Sequence, residues 1–72
     1  MNDVLNAMKL HHEAKKAEAV ANLNILLNQP VGIGDHPIVE DAIKWLSQLD
    51  SANSNLQTIT DEYPNITTEG LV

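Results

Sequence analysis

Ile38-Val39-Glu40-Asp41-Ala42-Ile43-Lys44-Trp45-Leu46-Ser47-Gln48-Leu49-Asp50-Ser51-Ala52-Asn53-Ser54-Asn55-Leu56-Gln57-Thr58-Ile59-Thr60-Asp61-Glu62-Tyr63 is the stretch whose pattern decides the fold. Within it Ile38, Ala42, Trp45, Leu49, Ala52, Leu56, Ile59 and Tyr63 recur at alternating steps of four and three without a miss. That 3.5-residue period keeps one side of an α-helix facing a neighbour, as in a coiled-coil seam. Val39, Ile43 and Leu46 widen the apolar face near its start, while Asp50, Ser51, Asn53, Ser54 and Asn55 leave the later half polar outside. Pro64 stops the helix.

Upstream, Asn28-Gln29-Pro30-Val31-Gly32-Ile33-Gly34 is the strongest punctuation in the chain. Pro30 ends whatever helix precedes it, Gly32 and Gly34 permit positive φ, and Val31 and Ile33 can tuck under the turn. His36 precedes proline and is biased away from the helical region, so Pro37 suits the first position of the second helix with Asp35 or His36 as its cap. Glu40 and Asp41 then complement the positive end of the dipole.

Before the loop, Val4 to Leu27 contains neither Gly nor Pro, and Asp3 is a candidate cap. At 100° per residue, Val4, Ala7, Leu10, Ala14, Ala17, Ala21 and Ile25 form one stripe, opposite Lys9, His12, Glu13, Lys15 and Lys16. Ala7, Ala14 and Ala21 recur at sevens, interleaved with Leu10, Ala17 and Asn24, so this stripe is the expected packing face of the first helix. The expectation is an all-α, two-helix antiparallel hairpin: helix about 3–28, loop about 29–36, helix about 37–63, and an extended tail over 64–72.

The chain's length and composition bound what such a hairpin does. With 72 residues and no cysteine, it has one small core and no disulfide to reinforce it. Oligomerisation is the usual remaining support, so the hairpin is expected to complete a helical bundle by self-association, most simply as a dimer, or by binding a partner. Leu23, Leu26, Leu27, Val39, Ile43, Trp45 and Leu46 cluster toward the loop and exceed what one partner helix covers. They are the interface candidates, Trp45 having a second reading as a core aromatic that locks the two helices.

Ten acidic residues against four lysines give a net charge of −6, which opposes binding to nucleic acid. Residues 29–72 hold seven of the acids and only Lys44, so a basic host protein is the alternative partner for an acidic inhibitor or adaptor. No signal-peptide pattern and no long apolar run is present, which points away from membrane and export and toward the cytoplasm. Asn65-Ile66-Thr67 fits a glycosylation acceptor, a pattern without consequence in that setting.

No catalytic, cofactor-binding or metal site is expected. His11-His12-Glu13 is the one cluster of metal-ligand types, but adjacent helical residues point about 100° apart and cannot grip one ion; a site would have to borrow His36 or a second chain. Gly32, Gly34, Asp35 and His36 have ingredients of an anion cradle, yet lack a preceding strand or a phosphate-binding lysine, and Asp35, Glu40 and Asp41 would repel a phosphate. The three serines, Ser47, Ser51 and Ser54, all fall on the second helix, more than two turns from His36.

From about Leu10 to Ile59, His11-His12-Glu13-Ala14-Lys15 and Leu27-Asn28-Gln29-Pro30-Val31-Gly32-Ile33-Gly34-Asp35-His36-Pro37, with the helix that follows, resemble small proteins encoded by tailed bacteriophages. The Pro-Val-Gly-Ile-Gly-Asp-His-Pro loop is the most specific part. The resemblance implies a virus-encoded accessory protein made inside a bacterial cell, acting on a host protein or joining the virion as a minor component, and it brings no site residues with it.

Overall fold

A computed structural model describes residues 3–28 and 36–64, which form two α-helices, α1 (Asp3–Leu27) and α2 (His36–Glu62), packed along each other. The all-α hairpin is what the heptad seam and the loop punctuation predicted, with helix ends within a residue of the expected ones. No strand occurs among the described residues. The expectations for the loop over 29–35, for Asp35 as a cap and for the tail beyond Pro64 lie outside the described residues; His36, expected in the loop or as the cap, is the first residue of α2, and Pro64, expected to open the extended tail, has helical backbone.

Each end has a local cause. Asp3 stands in the first turn of α1, where its charge suits the dipole, and so belongs to the helix instead of capping it from outside. At the other end Asn28 donates twice to the Asn24 carbonyl, through its backbone N–H at 3.2 Å and its Nδ2 at 2.6 Å. The side chain thus helps satisfy a carbonyl that the helix end leaves without a full partner. Because α2 begins at His36, Glu40 and Asp41 fall beyond its first turn, which holds no acid. The dipole compensation expected of them is correspondingly weak.

The α2 seam faces α1 as predicted. Ala52 and Ile59 are buried, and Ile38, Ala42, Trp45, Leu49 and Leu56 are half-buried. Tyr63 departs from the pattern and is 49% exposed. The helix register explains it: Gln48 Nε2 donates to the Lys15 carbonyl at 3.0 Å and to Glu18 Oε1 at 2.8 Å. Since both helices rise equally per residue, this puts Leu5 level with Ile59, His12 with Ala52, Ala19 with Trp45, and Leu26 with Ile38. Tyr63 then falls beyond the start of α1.

The packing face of α1 is not the expected one. Leu5 and Ala19 are buried, with Lys9, His12, Asn22, Leu23 and Leu26 half-buried, whereas Val4, Ala7, Leu10, Ala14, Ala17, Ala21 and Ile25 are exposed. The true seam runs Leu5, Lys9, His12, Lys16, Ala19, Leu23, Leu26, again in steps of four and three, nearly opposite the alanine stripe. Apolar burial alone does not rank the two, since the rival stripe holds Val4, Leu10 and Ile25 beside its four alanines and the seam holds three leucines and one alanine. Lys9 and Lys16 are tolerated because a lysine stem covers apolar surface while its ammonium stays in water. Small residues lie level with large ones, Ala19 with Trp45 and Ala52 with His12, and both alanines are buried.

The Gln48 bonds give a first test of this register. They are exposed to water, so Gln48→Ala is expected to lower stability by only about 0.5–1.5 kcal/mol, the net value of a typical hydrogen bond. Urea unfolding checks it, and a coupling with Glu18→Ala in a double-mutant cycle identifies the interhelical bond.

Candidate protein-protein interface

Near the loop the two helices leave an apolar groove open between them. Leu23, Leu26 and Leu27 of α1 and Ile38, Val39, Ala42, Ile43 and Leu46 of α2 line an open groove of about 490 Å³. Among the described residues the buried apolar ones, Leu5, Ala19, Ala52 and Ile59, lie elsewhere along the hairpin. The core therefore occupies the middle and open end, and the loop half keeps its apolar side chains in contact with water. Leu27 is 73% exposed, Val39 55%, Ile43 58% and Leu46 57%.

Local sequence places these groups. Val39, Ile43 and Leu46 follow a four-three spacing of their own, one position round the helix from the seam residues Ile38, Ala42 and Trp45. The result is a ridge of branched side chains running beside a groove floored by Ala42 and Ile38. Every lining residue is apolar. In a chain of net charge −6, this is surface that like-charged molecules approach without bringing carboxylates together.

Six of the seven interface candidates lie on this groove, and Trp45 does not. Its side chain is half-buried in the seam between the helices, at the level of Ala19, with Lys44 Nζ 5.2 Å from the ring centroid. The contact is a cation–π approach within one helix turn. Trp45 is thus a residue of the hairpin itself. Conversely, Ile38 and Ala42 were assigned only to the seam, and they also line the groove, which no spacing rule signals.

The remaining candidates are placed as follows. His11 is exposed and His12 half-buried in the seam, their rings edge to face with centroids 5.0 Å apart. Among the described residues no three His, Cys, Asp or Glu groups come together as metal ligands, and no helix is long and apolar enough to cross a membrane. Ser51 accepts Asn55 Nδ2 on its Oγ at 3.4 Å and on its carbonyl at 2.7 Å, and Ser54 accepts the Thr58 hydroxyl on its carbonyl at 2.9 Å. These are exposed bonds one helical turn apart, ordinary for such side chains on a helix. The glycine loop lies outside the described residues.

Comparison with family models, with curated proteins and with solved structures found no match to this chain. The functional reading therefore rests on the groove and on the physics of a small hairpin.

Proposed function

We propose that this chain is a non-enzymatic helical interaction module that works as a homodimer, a second copy covering the apolar groove at the loop end. The observation that carries the reading is the groove itself: eight apolar side chains from both helices, with Leu27, Val39, Ile43 and Leu46 each more than half exposed. Two supports accompany it. A single core in a chain of this size yields only about 3–5 kcal/mol, so hairpin stability benefits directly from covering the groove. A second copy also brings the same ridge and groove, which a two-fold axis sets into each other reciprocally.

Sedimentation equilibrium and thermal melts over a range of micromolar concentrations test the proposal. The expected result is a mass of twice 7.9 kDa and a melting temperature that rises with concentration. A single-chain mass with a concentration-independent transition overturns it. Salt separates this reading from an acidic adaptor for a basic protein. Association through an uncharged groove persists at high ionic strength, whereas docking of the acidic side of α2 onto a basic surface weakens as salt screens it.

A further inference from the structure

We draw no further inference here: the strongest candidate, the exposed face of α1 along Val4, Leu10, Ala14, Ala21 and Ile25, carries nothing because nothing in the structure shows what covers it.

Discussion

Ala19→Gln is expected to lose most of the hairpin's stability, while Ala14→Gln, five residues away on the same helix, is expected to leave it nearly unchanged. Both replacements are uncharged and keep a good helix former, so intrinsic propensity differs little between them. Ala19 is 0% exposed at the level of Trp45, whereas Ala14 is exposed on the far stripe. A glutamine at residue 19 adds a methylene and an amide where there is no room. Overpacking costs about 1–3 kcal/mol, and an amide buried without partners costs about as much again in protein mutational data. Against a stability of about 3–5 kcal/mol for so small a core, that loss is most of the total. For a domain of this length it lowers the melting temperature by on the order of 10–25 °C. At Ala14 the change stays within about 0.5 kcal/mol, as for surface substitutions generally. Thermal circular dichroism on the two variants decides the matter, and equal losses, or a larger loss at Ala14, would show that the alanine stripe is the packed face.

The second large effect concerns association. In the proposed homodimer, Ile43→Glu combined with Leu46→Glu places two carboxylates on the ridge of each copy, and a two-fold axis doubles the change across the interface. Each apolar side chain removed from the contact forfeits at least about 1.5 kcal/mol of burial, before the cost of desolvating the new charges. The dimer constant is therefore expected to weaken at least a thousandfold, about 4 kcal/mol at 1.4 kcal/mol per tenfold. Sedimentation should show the single-chain mass at concentrations where the parent chain is paired, and the melting temperature should lose its concentration dependence. The matching control, Asn53→Glu with Gln57→Glu, alters the polar later half of α2. If the association were as badly impaired there, the loop-end groove would not be the contact.

The two outcomes together separate what holds one chain together from what joins two. Ala19 and Ala52 act by being small at the level of large neighbours, and their replacement damages the hairpin at any concentration. Ile43 and Leu46 are more than half exposed in the single chain, so their replacement costs the isolated hairpin little. Trp45 belongs with the first group, despite the common role of tryptophan as an interface anchor. Its place in the seam follows from the spacing that links it to Ala42 and Leu49.

The helices, their order and the inward face of α2 were legible from residue spacing alone. The heptad from Ile38 to Ile59 admits one apolar face, and Pro30 and Pro64 allow no continuation of either helix. The six groove residues Leu23, Leu26, Leu27, Val39, Ile43 and Leu46 were legible for a related reason: near the loop, apolar residues are spread over more of the helix circumference than one neighbour covers. The inward face of α1 was not legible, because two stripes on that helix both satisfy a helical period, the alanine line and the line through Leu5, Ala19, Leu23 and Leu26. Periodicity gives each a face but does not rank them. Only the packed pair of helices does, since contact with α2 fits Ala19 at the level of Trp45 and lets Lys9 and Lys16 reach water past the seam. Local sequence determined that this chain makes two helices with a joint between them; the tertiary structure decided which side of α1 is interior and left the apolar groove open toward that joint.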